Sequence, residues 1–429
     1  MKTLVNGIRR DIIQSNKYKT NRLVVKFITP YRQFEASVLH LITRMMEDGS
    51  NLISSKGKIE TILADLYGSE LSINVQRRGN FHELTLATNL VRIDLIDEEP
   101  ALLAQWLDLV KDLLFNQTFE VNNPGMEERF KREKILLIQA IERQKDNKAR
   151  LAHKRLYEEL YQYEEAAYSA IAQVSHLEDM TLEDVKAVYK EWLQLAEIVV
   201  LFHGEVEEDW FDQELETWPV ASTDRTYSYD HNNIQLLENK HSTYIEEQTS
   251  GKQGNLMMAF KVPHPETFNK HMKLQLANTL FGQSPTSQLF TQVREKQSLA
   301  YSIGSSIDVN RGLIVVAAGI DSELGETVAT QIVDELNHLI EELQEDDHFQ
   351  KIKLMLISNM VQSIDSQANE LNYRFREYKN PIFKYDVDHY TNTMNQLTAE
   401  EVKQTLQTFE LVQTFFLKGV EKIDEKDVL

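Results

Sequence analysis

The sequence predicts an α+β fold in two homologous halves. Each half is expected to form an antiparallel sheet with helices packed on one face, and the two to close in a clam-like pair. Three observations predict it. The chain repeats itself at about half its length. Each copy holds a hairpin-like pair of apolar runs divided by turn residues. Each copy also ends in a capped helix that leads into an apolar strand closed by glycine.

The elements follow in the same order in both copies. The early strand Arg22-Leu-Val-Val-Lys-Phe27 answers to Asn255-Leu-Met-Met-Ala-Phe260, an offset of about 233. A helix comes next, then the strand pair. Leu71–Val75 faces His82–Thr88 across Arg78-Gly-Asn80, and Ala300–Asp308 faces Leu313–Ile320 across Asn310-Arg-Gly312. Gly and Asn are the residues such turns favour. Another helix and a long one follow. Ile135–Ile141 runs through Asp146-Asn-Lys-Ala149 into a further helical segment. Ile352–Met360 does the same through Asp365-Ser-Gln-Ala368, at an offset of about 219. Thr181-Leu-Glu-Asp-Val-Lys186 and Thr398-Ala-Glu-Glu-Val-Lys403 are helix starts, a Thr cap followed by acidic residues. They lead into the strands Ile198-Val-Val-Leu-Phe-His-Gly204 and Thr414-Phe-Phe-Leu-Lys-Gly419, at an offset of about 217. The offsets shrink along the copies, so the first copy carries extra residues around Leu95–Phe119 or Val121–Glu128. The halves are therefore expected at 1–218 and 240–429. The polar stretch 219–239, with Pro219, Ser222, Thr223 and Asp224, is expected to link them.

Composition narrows the function. Hydrophobic residues make up 42% of the 429 and charged residues 26%, the balance of an ordinary globular chain. The absence of cysteine excludes a disulfide framework, a thiol nucleophile and a Cys-ligated metal. A net charge of −21 argues against nucleic acid and anionic membrane surfaces as partners, since both need clustered positive charge. Arg9, Arg10 and Asp11 interrupt the first apolar run, and no later run reaches spanning length, so a cytoplasmic location is expected. The sequence holds no Gly-rich phosphate loop and no Gly-x-Ser-x-Gly nucleophile elbow.

The sharpest motif is Leu280-Phe-Gly-Gln-Ser-Pro-Thr-Ser-Gln-Leu-Phe290, followed by Val293-Arg-Glu-Lys-Gln-Ser-Leu-Ala-Tyr301. It resembles the second half of the M16 (insulinase and mitochondrial processing peptidase) metallopeptidases. There a Gly-rich turn and Ser-x-Leu-Phe precede Arg-Glu-Lys-x-x-Leu-Ala-Tyr. The resemblance implies that Arg294 and Tyr301 bind substrate backbone and support a tetrahedral intermediate at an active site in the other half. A guanidinium offers a fixed fork of donors to a carbonyl or carboxylate, and a phenol can donate to a developing oxyanion. Without the resemblance, Arg294 would be expected to pair with a neighbouring acid and Tyr301 to face the core.

In the first half the resemblance implies an inverted zinc motif, His-x-x-Glu-His, with a third ligand, Glu, on the long helix. Positions i and i+4 share a helix face, so two His can hold one Zn²⁺ while the Glu acts as base. Alignment on Gly49 gives His40-Leu-Ile-Thr-Arg44, which puts Thr43 at the base and Arg44 at the second ligand. The run Arg132-Glu-Lys-Ile-Leu-Leu-Ile-Gln-Ala-Ile141 puts Ala140 at the third. Thr43 cannot take a proton from metal-bound water at neutral pH. Arg44 carries a permanent positive charge, and Ala140 has no donor atom. No His-Glu-x-x-His or His-x₃-His pair occurs elsewhere among the 12 His. Arg44 and Ala140 lie 96 positions apart, about twenty more than the resemblance implies for catalytic members. No metal and no cofactor are expected in this chain; zinc would belong to a catalytic partner. An alternative keeps a metal on His40 with Glu35 or Glu47 and a residue of the long helix.

The resemblance also implies a peptide-binding edge strand at Leu71, Ser72, Ile73 and Asn74. Ser72 and Ile73 replace the family's Asn-Ala, but an added strand is held by backbone groups. The expected function is a non-catalytic subunit that binds peptides and completes the active site of a zinc-containing homologue, as a heterodimer. The alternatives are a self-associating (homodimeric) peptide-binding pseudoenzyme and a zinc-dependent endopeptidase with unorthodox ligands.

Overall fold

The computed structural model describes residues 1–96, 101–144, 146–162, 165–167, 172–220, 226–227, 229, 234, 242–380, 382–384 and 386–421. In the first half, β1 (Lys2–Thr3), β2 (Arg9–Gln14) and β3 (Thr20–Pro30) lead to α1 (Gln33–Asp48) and α2 (Lys56–Asp65). The hairpin β4 (Leu71–Arg78) and β5 (Phe81–Val91) follows, then α3 (Ala101–Phe115), α4 (Pro124–Gln144), α5 (Lys148–Leu160) and α6 (Val174–Asp179). The half closes with α7 (Leu182–Leu195), β6 (Glu197–Gly204) and α8 (Glu208–Glu216). The second half runs β7 (Thr243–Ser250), β8 (Gln253–Lys261), α9 (Phe268–Asn278), β9 (Ala300–Asp308), β10 (Leu313–Asp321), α10 (Gly325–Glu342) and α11 (Asp347–Ser363). It ends with α12 (Gln367–Lys379), α13 (Val387–Gln396), α14 (Ala399–Leu406) and β11 (Glu410–Val420).

The α+β class follows the sequence, and the two sheets have one topology. The first is ordered β1-β2-β6-β3-β5-β4 and the second β7-β11-β8-β10-β9. In each, one parallel pair (β2 with β6, β7 with β11) sits beside antiparallel neighbours. Both predicted hairpins form, with Val75 opposite Leu84 and Ser305 opposite Val316. The Thr caps also recur: Thr181 with Asp184 and Thr398 with Glu401 each close a reciprocal capping box. A further pair repeats at the same offset. Lys134 donates to the carbonyls of Glu178 and Met180, and Lys353 to those of Asn395 and Leu397, at 2.9–3.0 Å. Each Lys thereby satisfies carbonyl groups that a helix end leaves without partners, just ahead of a capping box. The extra residues of the first copy flank α3: positions 92–100 precede it where 322–324 precede α10, and 116–123 follow it where 343–346 follow α10.

The alternation of β3 shows how each sheet is packed. Leu23, Val25 and Phe27 face a core shared with α1, α3 and α7, including the fully buried Trp106. Val24 and Ile28 point the other way, to Leu371 and Phe375 of α12. In the second sheet Met257, Ala259, Leu313, Val315, Phe415 and Leu417 meet Ala152, Leu156, Tyr157 and Leu160 of α5. Beyond the helices of its own half, then, each sheet receives on its second face the helix that follows the long helix of the other half.

Two compact units result. One takes Met1–Glu142, Ser169–Asn232 and Ile364–Lys379; the other takes Arg143–Tyr168, Asn233–Ser363 and Asn380–Leu429. They cross the halves expected at 1–218 and 240–429 by one helix each. Most of the linker expected at 219–239, including Ser222, Thr223 and Asp224, lies outside the described residues, as does Pro100.

Residues 1–218 and 240–429 expressed separately should each expose an apolar sheet face. Each should precipitate or bind ANS alone, and co-expression should recover a soluble pair. Two stable, ANS-silent halves would contradict the exchange. Phe375→Ala, which thins one cover by a single ring, should cost about 3–5 kcal/mol in urea denaturation.

Candidate functional site

Helix α1 is amphipathic. Val38, Leu39, Leu41, Ile42, Met45 and Met46 are buried against the sheet, which leaves His40, Arg44 and Glu47 on the remaining side. The helix stops at Gly49, where a Cβ would lie 2.2 Å from the Ile53 carbonyl oxygen, so only glycine fits. The free Gly49 carbonyl accepts from Gln117 and Arg129, both at 2.8 Å, and this pins the end of α1 to α4.

The predicted motif positions lie along this helix. Thr43 is buried, and its hydroxyl donates back to the His40 carbonyl at 2.9 Å. Arg44 reaches α4, with Nε and Nη2 at 3.2 and 3.1 Å from one oxygen of Glu133. The α4 residue opposite Arg44 is thus Glu133. Ala140, the position that the resemblance implies for a third ligand, lies seven residues on, about 10 Å along the helix. The Glu133 side chain is 9% exposed, and its other oxygen accepts from Arg132 at 3.2 Å. Asp48 pairs with both Arg129, at 3.0 Å, and Arg132. Burial holds the Arg129 guanidinium below its ordinary range, and the Asp48 carboxylate opposes that shift.

The predicted edge strand is β4, at the end of its sheet order. Its residues 71–74 pair inward with Leu71 opposite Thr88 and Ile73 opposite Leu86. The Ile73 N–H donates to the Glu47 carboxylate of α1 at 3.2 Å, so one donor that an added strand would use is already engaged. Beside this strand His82 is buried, and its Nε2 lies 3.1 Å from the Arg32 N–H. Burial pushes its imidazole down to about 4, helped by the charge of Arg77.

The other predicted pair lies in the second unit. The motif forms two π-helical turns, Thr279–Gln283 and Leu289–Lys296, a geometry often found at functional sites. Gly282 is required, since a Cβ there would fall 2.6 Å from the Ser305 hydroxyl. Asn278 accepts from Ser305 at 2.6 Å and ties the turn to β9. Ser287 is buried. Arg294 is exposed, stacked with its guanidinium 4.5 Å from the Phe290 ring centre. Among the described residues no carboxylate lies within ion-pair distance of it. Tyr301, on the edge strand β9, is 65% exposed and does not face the core. Between the turn and β9 lies a cavity of about 430 Å³, lined by Gly282–Pro285, Phe290, Ser302–Ser306, Val315, Ala317 and His153.

Known proteins share this fold. The sequence profile described as the peptidase M16 inactive domain matches residues 179–356. The probable inactive metalloprotease YmfF of Bacillus subtilis (strain 168) is 22% identical over 427 residues, 98% of each chain. A conserved protein of Enterococcus faecalis V583 with a crystal structure is 25% identical, with a TM-score of 0.90 over 98% of both chains. The chain is thus similar to M16 peptidases, through that profile over residues 179–356 and through full-length relatives. The periplasmic protease PqqL of Escherichia coli shares the fold at 15% identity and a TM-score of 0.70; this chain's 98% corresponds to 45% of that one.

Zinc does not fit the residues gathered where the resemblance implies a metal. Arg44, Arg129 and Arg132 face only Asp48 and Glu133 there. Among the described residues no three His, Asp or Glu side chains gather to hold an ion. The alternative ligands are engaged: Glu35 pairs with Arg32 at 2.7 Å, and Glu47 holds the Ile73 amide. Sequence reasoning does not single out Glu133 as the partner of Arg44. Nor does it single out His82, and it names Glu47 only as an alternative ligand, not as the acceptor of the Ile73 amide.

His82 gives a pH dependence. Its folded value near 4 lies below the ordinary 6.5, so burial favours the neutral ring. That contribution is complete above pH 6.5 and is lost as pH falls toward 4, about 3 kcal/mol in all. Urea denaturation from pH 7.5 to 4.5 should show this slope in the wild type and a shallower one in His82→Gln. An NMR titration midpoint near 6.5 for His82 would contradict it.

Proposed function

We propose that the chain is a non-catalytic M16 subunit that binds peptides and completes the active site of a zinc-containing homologue. One observation carries the reading: Arg44 of the degenerate motif is held in an ion pair with Glu133, while Arg294 and Tyr301 of the second unit stand exposed. The stacked guanidinium is pre-oriented to donate to a substrate carbonyl or carboxylate. The exposed phenol can donate to an oxyanion forming at the partner's metal. The adjoining cavity, with apolar walls at Phe290 and Pro285 and the hydroxyls of Ser302 and Ser306, suits one peptide side chain and its backbone. The match to under half of the PqqL chain supports pairing, because a second chain of this size would supply the rest. The compartment proposed is the cytoplasm, to be checked by fractionation.

A second reading is favoured by the cavity lying wholly within one unit. On that reading the chain holds a peptide without a catalytic partner, alone or as a homodimer.

Purified alone, the chain should contain no stoichiometric zinc and cleave no peptide. With its catalytic homologue, Arg294→Ala and Tyr301→Phe should each lower kcat about 10²–10³-fold, as loss of one oxyanion donor does. The partner's zinc content should stay unchanged. Unaltered rates in both variants would reject the subunit role. Peptide affinity of the lone chain, lost on Phe290→Ala, would favour the second reading.

A further inference from the structure

We propose that Glu335 of α10 is a positioning residue: its carboxylate grips both ends of the turn Leu289–Lys296 and so sets where the Arg294 guanidinium is presented. The proposal rests on the subunit reading for what Arg294 does, and on the geometry of the second unit for the rest.

Three carboxamides converge on this one carboxylate. Gln288, just before the turn, donates from Nε2 to Oε2 at 2.7 Å. Gln297, just after it, donates to Oε1 at 3.3 Å. Gln331, four residues earlier on α10, donates to Oε1 at 2.8 Å and orients the carboxylate itself. Glu335 is buried, and among the described residues no cation pairs with it. A buried carboxylate held only by neutral donors needs each of them, because any lost bond leaves charge uncompensated. Such bonds are also the stronger kind, since the acceptor is ionised. The tie therefore holds the turn to α10 as firmly as it holds the carboxylate.

The turn needs an outside hold. π-Helical runs are rare, so the surroundings must favour this one over α geometry. Its exit is strained as well: Ser298 sits at φ 56°, a left-handed conformation that residues with a Cβ disfavour. Phe290 and Arg294 both lie within the turn, so their stacking fixes the guanidinium relative to the turn alone. Relating it to the rest of the unit takes ties to another element. The buried Leu289 and Val293 supply apolar contact, which has no direction. Glu335 supplies the directional part, one bond at each end.

The test has one arm on the lone chain and one on the complex. In hydrogen exchange of the full chain, Glu335→Ala should speed the amides of 289–299 about tenfold, as loss of such bonds implies, and leave those of β8 and β11 unchanged. In the complex with the catalytic homologue it should lower kcat about 10–10²-fold, the scale of a small misplacement, with little change in KM. In the Arg294→Ala background the same substitution should have almost no further effect on kcat, because it acts through that guanidinium. Glu335→Gln, which keeps the reach and an acceptor oxygen, should restore most of the rate. Should Glu335→Ala not fold, Gln297→Ala, at an exposed side chain, takes its place in both arms. Unchanged exchange at the turn, a speed-up spread evenly over the unit, kcat losses that add in the double variant, or a Glu335→Gln no faster than Glu335→Ala would overturn the proposal. If Arg294→Ala alone leaves the rate of the complex unchanged, the subunit reading fails, and the exchange arm still decides whether Glu335 holds the turn.

Discussion

The constraint on which the structure depends is that both faces of both sheets are apolar. Central strands such as β3 carry large side chains to one side at Leu23, Val25 and Phe27 and to the other at Val24 and Ile28. The helices of one half cover only one of these faces. Leaving the second open would expose a broad apolar surface, which monomeric proteins seldom tolerate. The chain meets the demand by sending α5 to the second sheet and α12 to the first, so neither unit is complete within one half of the sequence. The two covers differ in chemistry. That of α5 is mainly apolar, whereas α12 brings buried polar ties: Lys379 joins Lys26 on Glu83, Tyr378 donates to Glu197, and Glu370 meets His203. Burial of the Lys379 ammonium holds it below its ordinary range, and Glu83 opposes that shift. Such pairs specify one seating of α12 more than they add stability, because desolvation offsets much of their attraction.

The same logic of compensated charge governs the degenerate motif. A carboxylate on α4, nearly buried, needs a cation. Arg44 supplies it from the neighbouring helix, with Arg132 on the second oxygen. The ion pair keeps α1 and α4 joined. The Thr43 hydroxyl is spent on the backbone of its own helix.

Much of this was legible in the sequence, for stated physical reasons. Strand pairs, Thr caps and the terminal strands announce themselves through local turn and capping chemistry, and their doubling at a near-constant offset gives the duplicated topology. What periodicity cannot say is which sheet an amphipathic helix meets. The crossing of α5 and α12 is therefore invisible from Asp146–Ala149 and Asp365–Ala368, although those segments mark where the crossing helices begin. At the site, the loss of base and second ligand at Thr43 and Arg44 shows in the residues themselves. The partner of Arg44 does not, because the register between two long helices is set by packing. The engagement of the edge amide by Glu47 is likewise a tertiary fact that no motif prints.

These differences bear on how a peptide could be held. Adding a strand to β4 must displace a carboxylate from the Ile73 amide, and the freed carboxylate would need a new donor near the strand. The second unit presents no such obstacle at its motif. Its π-helical turns let the backbone pass close to β9, and only Gly282 permits that approach. The same turns bring Phe290 beneath the Arg294 guanidinium and leave the cavity open beside it. The motif thus presents a stacked cation, an exposed phenol and an adjoining cavity on one unit. A guanidinium held by stacking and a phenol open to solvent are donors of the kind that a carbonyl oxygen accepts, and they stand where no carboxylate among the described residues competes for the guanidinium.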